Sequence, residues 1–173
     1  IGLPRARVPE VSAALAAWTE DLFPAETATD RRLRLSVCAL TDMAWRDHEK
    51  VRARECFHRL LQFPFIGITH PERAFLATAV MARYGGKIDE RVRARVAPLI
   101  GDAGLRRAEI LGRALRLGHR FSASVPAILA EARLRIDADA VRLEVTDAAS
   151  VPDSDAVLAR LKLLARAVGV EGG

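Results

Sequence analysis

The sequence predicts a mainly α protein that carries a small α+β appendage at its C-terminal end. Three observations lead there. Apolar residues recur at helical spacing from about residue 9 to residue 117. The period then changes, with apolar and polar residues alternating through "ARLRIDADAVRLEVT" (132–146). A clean amphipathic stretch, "VPDSDAVLARLKLLARAVG" (151–169), follows.

Each element has its own signal. Pro9 suits a first helical turn, and Val11, Leu15 and Trp18 share one face of a helix over 9–21. Thr29-Asp30 can cap a second helix, whose core positions are Leu33, Val37, Leu40 and Ala44. Asp47 is the expected N-cap of a third, in which Ala53, Cys56, Phe57, Leu60 and Leu61 repeat at i, i+3, i+4, i+7, i+8. Pro64 and Gly67 break that run. Thr69-His70-Pro71-Glu72 then forms a capping-box signature for a fourth helix, which should stop at Gly85-Gly86. A fifth carries Ile88, Val92, Val96 and Leu99. After "GDAG" a sixth runs from about Leu105 to Leu117, apolar on more than one face and so expected to be central. In the alternating stretch Leu134 and Ile136 precede a short Asp-Ala-Asp-Ala turn and Val141, Leu143 and Val145 follow it, which reads as an antiparallel hairpin. Such a hairpin is marginal alone and must pack on the helices. The last helix has Val157, Leu161, Leu164, Ala165 and Val168 on one face. The expected division is a helical domain over 1–123 and the appendage over 124–173.

At 173 residues, half of them hydrophobic, the chain can bury a core without staples. Cys38 and Cys56 each sit among apolar residues and read as buried structural thiols. No apolar run spans a bilayer and no leader pattern opens the chain, so a soluble, cytoplasmic setting is expected. A start at Ile1 rather than Met suggests a piece of something longer. Net charge is +5, unevenly spread: residues 31–107 carry 16 basic and 8 acidic side chains, an excess of +8, while the flanks are acidic or neutral. That segment is the natural partner for an anion. Only three of the 27 cations are lysine, so arginine usage alone is also consistent with genome composition and a solvated charged face.

"LTDMAWRDHEK" (40–50) raises the sharpest chemical question. A helical metal phosphohydrolase of the HD type needs a His-Asp pair ending a buried helix, an earlier His, and a last Asp from a later helix. Here Asp42 stands where the pair's Asp would, but Thr41 precedes it, Gly118 stands near the last Asp's place, and no His precedes His48. One carboxylate cannot hold a catalytic metal against water, so Asp42 reads as a helix-terminal carboxylate bonded to backbone or to an arginine. His48 and His58 form at most a weak two-His pair; His58, His70 and His119 read as hydrogen-bonded surface or loop histidines. No nucleophile constellation and no phosphate loop is legible, and "YGGK" (84–87) is a helix end. No catalytic and no metal-ligating residue is therefore assigned. What remains is a basic cluster: Arg46, His48, Lys50, Arg52 and Arg54, joined by Arg83 and Lys87. Few aromatics interleave with it, which favours a polyanion without bases over single-stranded nucleic acid.

The stretch from Ala39 to Gly86 resembles the C-terminal region of the exopolyphosphatase and guanosine pentaphosphate phosphatase (Ppx/GppA) family. Its specific parts are the "WRDH" turn, "PFIGITHPERAFLA" and "ARYGG". "ALRLGHRFSAS" (114–124), the hairpin and "LARLKLLARAVG" match the same order of elements, so the resemblance spans essentially the whole chain. It implies an HD-like helical domain with a degenerate metal site plus a small α+β unit. It also implies upstream actin-like domains that hold the catalytic carboxylates and need a divalent cation such as Mg, with no cofactor in this part. The region is then expected to be inert alone, to bind polyphosphate or a similar polyanion, to dock on those catalytic domains and to support a homodimer, with no membrane partner. A purely structural domain and an active HD-type hydrolase remain the alternatives.

Overall fold

The computed structural model describes residues 8–146 and 154–172. Five helices and a 3-10 turn come first: α1 (Val11–Trp18), the turn Glu20–Leu22, α2 (Ala28–Leu40), α3 (Arg52–Gln62), α4 (His70–Arg83) and α5 (Glu90–Ser122). The remainder comprises α6 (Pro126–Ala130), β1 (Ala132–Ile136), β2 (Ala140–Val145), α7 (Ser154–Val168) and β3 (Glu171–Gly172). The fold is mainly α with a small α+β appendage, as the periodicity predicts.

Local chemistry accounts for the boundaries. Thr69 accepts from the Glu72 amide while Glu72 accepts from the Thr69 amide, the expected capping box. The second helix starts earlier than predicted. Its cap is Thr27, which pairs reciprocally with Asp30, so Asp30 is the third residue of the capping box and not part of the cap itself. Backbone and side-chain hydrogen bonds from the two threonines hold the Asp30 and Glu72 carboxyls below the usual carboxylate range. A depressed folded-state pKa contributes stability above the unfolded value, near pH 4, and that contribution is lost as pH falls through the folded value. Thr69→Ala is expected to cost about 1 kcal/mol at neutral pH. Urea denaturation across pH should show the difference from wild type shrinking in acid.

The third helix also departs from prediction. Residues 41–51 make successive tight turns, among them Met43 N–H to Leu40 C=O (3.1 Å) and Val51 N–H to His48 C=O (3.0 Å), and helix begins only at Arg52. Asp47 is no N-cap; its carboxylate accepts from Arg59 at 3.0 Å. Gly85 takes the left-handed conformation (φ +82°) that ends α4. The predicted break at "GDAG" is a single residue: Gly101 (φ +66°, ψ 175°) interrupts α5, and helix resumes at once in a second limb reaching Ser122.

The core is one continuous cluster running from Val11 to Ala165. The second limb of α5 is central, but so is α4, whose Ala74–Ala82 are all buried. Small residues permit their close crossing: a Cβ at Gly112 would stand 2.3 Å from the Ala79 carbonyl oxygen and 2.6 Å from the Ala82 Cβ. Helix α7 packs its Val157–Leu161–Leu164–Ala165 face on α5, and β1 packs beside α1 and the 3-10 turn. The hairpin register pairs Leu134 with Leu143 and Ile136 with Val141, and β3 adds a short parallel pairing. The 151–153 start of the predicted last helix lies outside the described residues.

One buried polar assembly ties the helices together. Arg34, 1% exposed, donates from Nε to both Glu26 carboxylate oxygens (2.9 and 3.0 Å) and from Nη1 to the Ala16 carbonyl (2.5 Å) and Thr19 Oγ1 (3.2 Å). Arg107 of α5 reaches the same carboxylate at 2.6 Å while its guanidinium covers Phe23. Burial pushes the Cys38 and Cys56 thiols up to about 12, so both stay protonated. Among the described residues no helix is long and apolar enough to cross a membrane.

Candidate functional site

The turns at 41–51, the end of α4, the end of α5 and α7 converge on a cleft of about 560 Å³. Six cations line it: Lys50, Arg52, Arg83, Arg116, Arg120 and Arg160. Glu49 is the one carboxylate among its described lining residues.

The floor is rigid. Arg83, in the last turn of α4, donates from Nε to Thr41 Oγ1 (3.3 Å), approaches Asp42 at 3.6 Å and stacks over the Tyr84 ring at 4.3 Å. The Tyr84 hydroxyl accepts the Ala44 amide at 3.0 Å, and burial pushes its phenol up to about 12. His119, in α5, has Nε2 against Thr41 Oγ1 (3.1 Å) and Nδ1 against Ser124 Oγ (2.9 Å). Ser124 is held there by two consecutive left-handed residues, Ala123 (φ 49°) and Ser124 itself (φ 66°).

The walls carry the charge. Arg116 reaches the cleft across the bare face of Gly85, where a Cβ would fall 1.6 Å from the Arg116 Nη1. Arg160 comes from α7 and donates to the Ala156 carbonyl at 2.8 Å. Among the described residues Lys50, Arg52, Arg116 and Arg160 have no carboxylate within ion-pair distance. Burial first, and then neighbouring arginines, press the pKa values of Arg116 and Arg160 down. Arg83 is lowered by burial too, with Tyr84 and Asp42 opposing and Arg52 and Arg116 adding to it. All three remain cations at neutral pH. Lys50, Arg52, Arg116 and Arg160 thus give the cleft a positive local field.

The family model described as exopolyphosphatase, C-terminal, matches residues 1–171. The chain belongs to this family. No curated protein matches the sequence.

In this exopolyphosphatase C-terminal region, three of the seven residues singled out from sequence meet in the cleft: Lys50, Arg52 and Arg83. Arg54 and Lys87 line a neighbouring groove instead. The Arg46 guanidinium covers the adjacent Trp45 ring at 5.0 Å and is not among the cleft-lining groups. His48 is exposed, with Nδ1 accepting the Lys50 amide at 3.3 Å. Sequence reasoning missed Arg116, Arg120 and Arg160. The first two stand four apart on one face of α5, a legible signal; Arg160 is brought in only by the docking of α7. His119, expected at the surface or in a loop, is a buried helix residue, 8% exposed.

The positions that resemble a metal site hold something else. Asp42 faces the Arg83 guanidinium, Thr41 serves His119, and among the described residues no three His, Cys, Asp or Glu side chains gather. Gly118 is a packing residue: a Cβ there would lie 2.8 Å from Leu15 Cδ2 and 3.0 Å from Trp18 Cζ3. Gly118→Asp is therefore expected to destabilise by at least about 1–3 kcal/mol through overpacking. It should lower Tm without creating affinity for Mn or Zn, measured by calorimetry and metal titration.

Proposed function

We propose that this exopolyphosphatase C-terminal region binds a phosphate chain for an enzyme whose cutting machinery lies elsewhere. The observation that supports it most is the cleft itself, where six cations converge and Glu49 is the one carboxylate among the described lining residues. Among its described lining residues the rings are Tyr84, on which Arg83 already stacks, and His119, which is buried and bonded to Thr41 and Ser124. A backbone of phosphates without bases therefore suits the cleft better than a polynucleotide. The parent activity is release of terminal phosphate from polyphosphate or guanosine pentaphosphate by upstream actin-like domains that use a divalent cation, in the cytoplasm. The region itself is inert, retains the outline of a degenerate HD-like metal site, docks on those domains and supports a homodimer.

The test is binding of end-labelled linear polyphosphate to the 173-residue chain, followed by fluorescence anisotropy at low and moderate salt. Saturable binding that weakens steeply with salt is expected. No binding at low salt refutes the reading. Sedimentation of the same chain decides between dimer and monomer.

A further inference from the structure

A notch of about 260 Å³ is lined by Leu61 near the end of α3, His70 and Arg73 at the start of α4, and Arg95 and Leu99 on the first limb of α5. It shares no described lining residue with the cleft. His70 and Arg73 stand at i and i+3, and Arg95 and Leu99 at i and i+4, so each helix turns one face to it. All five side chains are half-buried or exposed.

The polar side chains among its described lining residues, His70, Arg73 and Arg95, are all basic. Carboxylates close by in sequence are committed elsewhere: Glu72 binds Arg32 and the Thr69 amide, and Asp102 binds Arg93. Among the described residues neither Arg73 nor Arg95 has a carboxylate within ion-pair distance. Arg73 is short of acceptors. Its Nη1 donates to the Leu61 carbonyl at 3.4 Å, while its Nε is shut off from water and meets no acceptor among the described residues. A buried donor left in that state costs free energy, which asks for an explanation. Apolar surface adjoins the charge. Leu99 is 43% exposed, and Ile66, in the loop that leads from Leu61 to His70, is 100% exposed. That loop is braced: the Phe63 and Phe65 rings lie 4.7 Å apart, the Phe65 amide donates to the Phe63 carbonyl at 2.9 Å, and Gly67 turns the chain at φ +72°. One exposed apolar residue is ordinary on a protein surface. An isoleucine held out on a braced loop, next to arginines that lack counter-charges, is a contact surface.

The notch is smaller than the pockets of drug-sized ligands, about 300–1,000 Å³, and has room for little more than one side chain. A free anion would leave Ile66 and Leu99 uncovered, and a phosphate chain would lose hydration against the two leucines. A carboxylate flanked by apolar side chains satisfies both parts, and an acidic segment of a protein presents that combination. We propose that this surface docks a partner protein through one Glu or Asp side chain. The carboxylate enters the notch between Arg73 and Arg95, and the apolar residues beside it cover Leu99 and Ile66.

The experiment titrates the 173-residue chain with acetyl-Leu-Glu-Leu-amide, acetyl-Leu-Lys-Leu-amide and acetate, following backbone amides by NMR. The glutamate peptide is expected to bind about tenfold more tightly than either of the others, with shifts at His70, Arg95 and Leu99. Arg95 is exposed, so Arg95→Glu should keep Tm and weaken the peptide about tenfold. Ile66→Ser should weaken the peptide and leave acetate unchanged, and Arg160→Glu in the cleft should change neither. Three results overturn the proposal. Acetate binding as tightly as the peptide means an adventitious anion only, and equal binding of the lysine peptide means that charge plays no part. Sedimentation showing a dimer that Ile66→Ser dissolves means that a second copy covers this face. None of these readouts involves polyphosphate, so the outcome stands apart from that of the cleft.

Discussion

Glu26→Ala is expected to lower the unfolding free energy by about 3–5 kcal/mol, a large part of the total for a domain of this size. The substitution strands the Arg34 guanidinium, whose side chain is 2% exposed, with only a carbonyl and a hydroxyl as partners. It also frees Arg107 from its 2.6 Å contact. The cost comes from a buried charge without its counter-charge, not from the worth of the ion pair. The same physics predicts a recovery: Glu26→Leu combined with Arg34→Leu removes both charges and should return most of the loss. Urea denaturation followed by circular dichroism measures all three chains. A single variant costing less than about 1 kcal/mol, or a double no better than the single, refutes this account.

Arg160→Glu and Arg116→Glu should each weaken polyphosphate binding about ten- to a hundredfold. Each reverses a cation at a cleft open to solvent, a swing of two charges facing the ligand at several ångströms where the effective dielectric is close to that of water, about 1.4–2.7 kcal/mol. Each should also flatten the salt dependence, since one fewer phosphate contact means fewer counterions released. Arg46→Glu supplies the contrast. Sequence alone places Arg46 with the binding cluster, whereas the folded chain stacks it on Trp45 outside the cleft. Binding within about twofold of wild type is expected there. If Arg46→Glu weakens binding as much as Arg160→Glu does, attraction is a property of the whole basic surface and not of the cleft.

Several elements were legible because their signals are local. The Thr69 capping box, the Gly85 helix end and the alternation that marks the hairpin each depend on residues within a few positions or on a period that a one-residue slip would destroy. Errors arose where two local signals competed. Asp30 belongs to a box whose cap is Thr27, and Asp47 sits amid tight turns that delay the helix to Arg52. The five-residue α6 was not foreseen, since "PAILA" is too short to show a helical period.

Within the candidate site, the sequence by itself determined the cationic character of the middle segment, the terminators that end α4, and a threonine rather than a histidine before Asp42. The choice of which cations work together was made only by the tertiary structure. Docking α7 on α5 carries Arg160 to Arg116, and Gly85, having no side chain, lets Arg116 cross the end of α4 into the cleft. The buried Arg34–Glu26–Arg107 assembly was equally invisible, because its members lie 8 and 81 residues apart and each looks like an ordinary surface charge. Periodicity records which face of a helix is apolar. Which charges meet depends on how the helices cross, and that is decided by packing between residues far apart in the chain.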